Sequence, residues 1–161
     1  MKSSLLTLFT LTFFCFISVS VPAENENDFA LGVISESQLL SGFTGFNEKF
    51  QAFSISDQEQ EIIAQWPKTL QIDVYFGTWC HDSEREVPQL LKLLKANKNI
   101  TLNLIALDYQ KEDPQQLAQK NQIKYTPTFI IYRDKSKKEE LGRIIERPNK
   151  SLVEDINQLI L

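Results

Sequence analysis

Gly77-Thr78-Trp79-Cys80-His81-Asp82-Ser83 closes an apolar run, Leu70 to Phe76, and opens a long amphipathic one. The stretch therefore reads as the hand-over from a strand to a helix. It holds the single histidine of the chain and one of its two cysteines. Covalent chemistry, if the chain performs any, belongs here.

The other cysteine, Cys15, lies in a segment of different character. Residues 1–23 start with Lys2, run apolar from Leu5 to Val19, and end on Val21-Pro22-Ala23. A basic start, an apolar centre and a small-residue cut site describe a secretory signal peptide. A membrane-spanning helix needs about 20 apolar residues, and this core is closed earlier by Ser18, Ser20 and Pro22. Cleavage is expected after Ala23, with loss of Cys15, export to a bacterial periplasm and no stable membrane association afterwards. Residues 24–30 are expected to form a flexible leader and 31–161 a single domain.

At 161 residues, with 42% hydrophobic and 24% charged content, the chain is long enough for one real core. Its formal charge of −4 excludes a generally basic nucleic-acid-binding surface. An exporting compartment is oxidising, and cysteines there come in pairs. Cys80 without a partner is either a small buried hydrophobe or a thiol free to react with other molecules.

Outward from the central stretch, periodicity sets the elements. Upstream, a short helix is expected over Ile34 to Leu40. Phe43, Phe46, Phe50 and Phe53 then recur at helical steps, a stripe that core packing explains. Ser56 and Glu59 form a capping box for a helix ended by Pro67. Residues 31–66 are thus expected to be a helical extension ahead of a core over 67–161. Downstream, Val87, Leu90, Leu91 and Leu94 mark a helix containing Pro88, which should kink it.

Strands are expected at about 70–76, 100–107, 128–132 and 140–146. A short helix from Pro114 to about Asn121 and a last helix from Ser151 complete the set. Strands separated by helices are expected to run parallel, and the last two to form a hairpin.

Four marks converge. Trp79-Cys80 sits at a strand-to-helix junction; Pro88 follows eight residues after the cysteine; Ile123 and Thr126-Pro127 precede an apolar strand; and a hairpin with a terminal helix ends the chain. From Leu70 to Leu161 the chain resembles the thioredoxin superfamily. The resemblance implies an α/β thioredoxin-like fold, a central mixed sheet flanked by helices, here with an N-terminal helical extension. It also implies a cis bond at Thr126-Pro127, with the backbone of Thr126 beside Cys80, where an extended substrate could pair. Trp79, Thr126 and Pro127 are the implied substrate-binding residues.

Two departures from the family pattern stand out. Its C-x-x-C is here Cys80-His81-Asp82-Ser83, and Val74 stands where many thioredoxins carry a buried Asp six residues before the cysteine. Asp73 is one residue off, which in a strand turns it to the opposite face. A dithiol site resolves its mixed disulfide with the second cysteine, whereas a monothiol site waits for an outside thiol or another thiol of the substrate.

Cys80 is accordingly the candidate nucleophile. Ser83 is a hydrogen-bond donor to its thiolate, and His81 a modulator of its charge. A helix N-terminus and a protonated His81 would favour the thiolate, while Asp82, Glu84 and Glu86 would oppose it, by contributions of similar size. The expected partners are a thiol- or disulfide-containing protein or a glutathione-like small thiol, with no cofactor. A second reading keeps the fold and uses the groove between Cys80 and Thr126-Pro127 to hold extended peptides without redox cycling. A third, metal or iron–sulfur cluster binding, has the weakest support, since Cys80 and His81 supply at most two ligands; no metal site is assigned.

Overall fold

The computed structural model describes residues 28–161. The signal peptide expected over 1–23 and the leader up to residue 27 lie outside the described residues. The elements are β1 (Gly32–Ile34), α1 (Glu36–Gly42), α2 (Thr44–Ala52), α3 (Asp57–Ala64), β2 (Gln71–Phe76) and α4 (His81–Leu93). They continue with β3 (Thr101–Ala106), α5 (Leu117–Lys120), β4 (Thr128–Tyr132), β5 (Glu140–Ile145) and α6 (Leu152–Ile160). The sheet is five-stranded and mixed, in the order β1-β3-β2-β4-β5.

Local chemistry sets several boundaries. Ser35 with Gln38 and Ser56 with Glu59 form reciprocal capping boxes at the starts of α1 and α3, which satisfy backbone donors that a helix leaves open in its first turn. Ser151 caps α6 by accepting from the Glu154 N–H. Pro88 lies inside α4.

β2 is the central strand, and all six of its residues are buried. Alternation sends Ile72, Val74 and Phe76 into the larger core with Leu39, Phe46, Ile63, Val87, Leu90 and Phe129. Tyr75 goes to a smaller core on the other face, with Ile105, Leu107, Ala118, Ile130 and Tyr132. Helices α1 to α4 and α6 all contribute to the larger core, so the N-terminal extension packs on the same face as the helix that follows Cys80.

Two expectations need correction. The extension is not wholly helical, because Gly32–Ile34 pairs antiparallel with β3, Val33 opposite Ile105. Three residues are too few to show a strand period. Second, the helix-separated strands are not all parallel. β2 and β3 are parallel, with Val74 opposite Leu104, but β4 is antiparallel to β2, with Val74 opposite Phe129. The reason is length: α5, four residues long, spans only about 6 Å at 1.5 Å per residue. It does not carry the chain back along the sheet, so β4 starts from the end at which β3 finished. Ahead of β1, the Ala30 N–H donates to Thr78 Oγ1 at 3.0 Å and Phe29 packs edge-on against Tyr109.

Candidate functional site

The site forms where β2 ends. After Phe76 the chain turns over Gly77 to Cys80, closed by the Cys80 N–H donating to the Gly77 carbonyl at 3.0 Å. The Glu84 N–H then donates to the Cys80 carbonyl at 3.0 Å, which starts α4. Cys80 is the N-cap residue, with extended backbone angles and no side-chain capping bond. Its sulfur makes no bond to the first-turn N–H groups, which have no partner within the helix.

Opposite stands the loop before β4. The Thr126–Pro127 peptide is cis, and the Cys80 thiol donates to the Thr126 carbonyl, with Sγ 3.2 Å from the oxygen. Two bonds fix that loop: Thr128 Oγ1 donates to the Tyr125 carbonyl at 2.7 Å, and the Glu146 N–H donates to the Pro127 carbonyl at 2.8 Å. The structure thus brings Cys80, Thr126 and Pro127 together from two loops distant in sequence. Cys80 is partly exposed and free of any disulfide.

Ser83, one helical turn on, is fully buried. Its hydroxyl accepts from the Gly77 N–H at 3.3 Å, so it acts as a structural acceptor for the turn. His81 is exposed on the first turn of α4, and its imidazole makes no hydrogen bond among the described residues. The neighbouring charge is held elsewhere: Asp82 accepts from Arg85 at 2.6 Å and from Arg147 at 3.2 Å. The hydrogen bond from Arg85 is the main cause holding the Asp82 carboxyl below the usual carboxylate range.

Trp79 directly precedes the cysteine. Its indole N–H donates to the Leu107 carbonyl at 2.9 Å, and its ring stacks on Tyr109 with centroids 4.9 Å apart and planes at 28°. The indole also lies against Gly77, where an added Cβ would come within 2.5 Å of it. Tyr109, Phe29 and Arg147 are site residues that sequence reading did not find. They arrive on loops and on the N-terminal segment, and no local pattern marks them.

Asp73 takes no part. It faces away from the larger core, accepting from Gln71 Nε2 at 2.7 Å, Asn103 Nδ2 at 2.9 Å and Lys137 Nζ, while Val74 fills the core side. Among the described residues no group of three or more His, Cys, Asp or Glu side chains could hold a metal ion.

This arrangement, a cysteine at a strand-to-helix turn facing a cis-proline loop, agrees with comparison to known sequences. The family profile described as Thioredoxin matches residues 44–156. The chain belongs to the thioredoxin family. No curated protein matches the sequence significantly.

Among solved structures, a protein of unknown function from Pseudomonas aeruginosa is similar at 17% identity and a TM-score of 0.56, over 78% of this chain and 86% of that one. An HIV epitope scaffold is similar at 18% identity and a TM-score of 0.51, over 78% and 76% of the two chains. Mitochondrial thioredoxin 3 of Saccharomyces cerevisiae also matches, at 20% identity and a TM-score of 0.38, over 60% of this chain and 86% of its own. The first two likenesses are of fold. For this thioredoxin-family chain they leave the chemistry to be read from Cys80 and its surroundings, and family membership points to redox chemistry as the general class.

Proposed function

We propose that the protein is a periplasmic thiol–disulfide oxidoreductase that works through Cys80 alone, exported by the segment over residues 1–23. The observation that carries this is the placing of the Cys80 sulfur at the start of α4, 3.2 Å from the Thr126 carbonyl, with a serine where a resolving sulfur would stand. The Cys80 thiolate attacks one sulfur of a substrate disulfide. A Cys80–substrate disulfide forms, the old sulfur–sulfur bond breaks, and the second substrate sulfur leaves as a thiolate. An outside thiolate, or another thiol of the substrate, then attacks the mixed disulfide and returns the electron pair to Cys80. One disulfide is exchanged for another, with no net oxidation of the protein.

Buried Ser83 cannot take the resolving step, which is why the partner must supply it. Incubation with oxidised glutathione under native conditions, followed by intact-mass measurement, should show an adduct in wild type and none in Cys80→Ala. A wild-type protein that stays unmodified overturns the proposal.

A second reading, a thioredoxin-fold module that holds extended peptides without turnover, is favoured by the serine at 83 together with Val74. It requires partner binding to survive Cys80→Ala. Loss of binding in that variant counts against it.

A further inference from the structure

Among the described residues the exposed aromatic surface is concentrated at the site. Among the described residues five large apolar side chains stand exposed, and the two aromatic ones are Tyr109 at 58% and Tyr125 at 50%. Tyr125 directly precedes Thr126, whose carbonyl meets the Cys80 sulfur. Tyr109 stacks on Trp79, the residue directly before Cys80.

The Tyr109 ring and the Tyr125 backbone are both held in place. The Tyr109 ring is backed by Trp79 at 4.9 Å and met edge-on by Phe29 at 5.3 Å. Its loop is closed by the Asp108 N–H on the Glu112 carbonyl and the Glu112 N–H on Asp108 Oδ1. Tyr125 is pinned through its carbonyl by Thr128. A large ring that is both fixed and exposed offers apolar contact without the ordering cost that a mobile side chain carries on binding. The core has no need of that surface; a partner that approaches Cys80 does.

We propose that Tyr109 and Tyr125 are specificity-determining residues, selecting a cysteine flanked by aromatic or large apolar residues in an extended peptide over a small disulfide such as oxidised glutathione. This rests on the single-cysteine exchange proposed above and names its substrate class: cysteines of unfolded or partly folded protein segments. An extended strand advances roughly 3.3 Å per residue, so side chains within a few residues of the reacting cysteine reach one stacked ring beyond Trp79. Glutathione has no aromatic side chain to place there.

The test uses three disulfide probes on the purified protein: oxidised glutathione, a pentapeptide–glutathione disulfide with Phe on both sides of its cysteine, and the same peptide with Gly in place of Phe. The rate of Cys80 adduct formation is read by mass after acid quenching. Wild type should react with the Phe peptide about tenfold faster than with the Gly peptide, the size of one aromatic contact. Tyr109→Ser and Tyr125→Ser should each lower that ratio, and the double variant should abolish it by slowing the Phe peptide to the rate of the Gly peptide. Tyr109→Phe, which keeps the stack, should keep the ratio. A wild-type ratio of one, or variants that slow all three probes alike, overturns the selection while leaving exchange intact. No adduct from any probe on wild type overturns the exchange itself, and the selection with it.

Discussion

The hydroxyl of Ser83 accepts a hydrogen bond from the Gly77 N–H at 3.3 Å, and both lie inside the protein beneath Cys80. Ser83 therefore braces the turn that presents the sulfur, and its substitutions separate bracing from chemistry. Ser83→Ala leaves a buried N–H without an acceptor, a loss of about 1–3 kcal/mol, visible as a lower urea midpoint. Ser83→Cys restores a second sulfur one turn from the first. Under mild oxidation it should lose both free thiols to an internal disulfide, counted by thiol titration, and its reduced dithiol form should reduce one protein disulfide per molecule without an added thiol, ending as that internal disulfide. Two free thiols persisting after oxidation would show that the two side chains do not meet.

Gly77 is required for a different reason, the indole lying over it. An alanine Cβ would come within 2.5 Å of the Trp79 ring, which would have to leave its bond to the Leu107 carbonyl and its stack on Tyr109. Overpacking of this kind costs about 1–3 kcal/mol. Gly77→Ala should lower the melting temperature and change the tryptophan fluorescence, whereas substitution of Gly42, which meets nothing within 4 Å, should leave the fluorescence alone. An unaltered spectrum in Gly77→Ala would mean that the indole finds another seat at no cost.

What was legible in the sequence had a local cause. Ser56 with Glu59, Pro88 after Cys80 and the apolar run Thr128 to Tyr132 each carry their meaning within a few residues, and α3, α4 and β4 stand where those signals put them. β1 was not legible because three residues have no readable period. The direction of β4 depended on how far the chain travels between Ala106 and Thr128, which periodicity does not report. The site divides in the same way. Cys80 and Thr126-Pro127 announced themselves, but the Ala30 to Thr78 bond closes 48 residues of chain, and the Asp82 to Arg147 pair closes 65. Such closures are decided by packing and leave no mark on either segment.

The buried carboxylate of Asp73 gives a prediction about stability without function. It is 2% exposed and depends on Lys137, Gln71 and Asn103 for its partners. Lys137→Met removes the cation from a charge that water does not reach, which should cost about 1–3 kcal/mol in urea unfolding. Because Asp73 and Val74 point to opposite faces of β2, the rate of Cys80 exchange in the folded variant should equal that of wild type. A changed exchange rate would show that the polar cluster acts through the sheet on the sulfur.

Two of the four tyrosines make the protein sensitive to alkali. Burial, aided by the charge of Asp73, pushes the Tyr132 phenol up to about 12, and the same causes in the same order raise Tyr75. Both are tied to Asn121, whose Nδ2 donates to the Tyr75 oxygen at 2.8 Å and whose Oδ1 accepts from Tyr132 at 3.2 Å. In the unfolded chain these phenols ionise near the ordinary value of about 10. The folded state then binds more protons than the unfolded state, so stability falls as pH rises. The contribution is complete below pH of about 10 and is lost as pH climbs through the raised folded values. Urea unfolding followed across that window should show declining stability, and phenolate absorbance from these two residues should rise together with loss of structure rather than before it. Tyr132→Phe should flatten the decline. Ionisation of Tyr132 in the intact fold near the ordinary value would show that burial does not protect it.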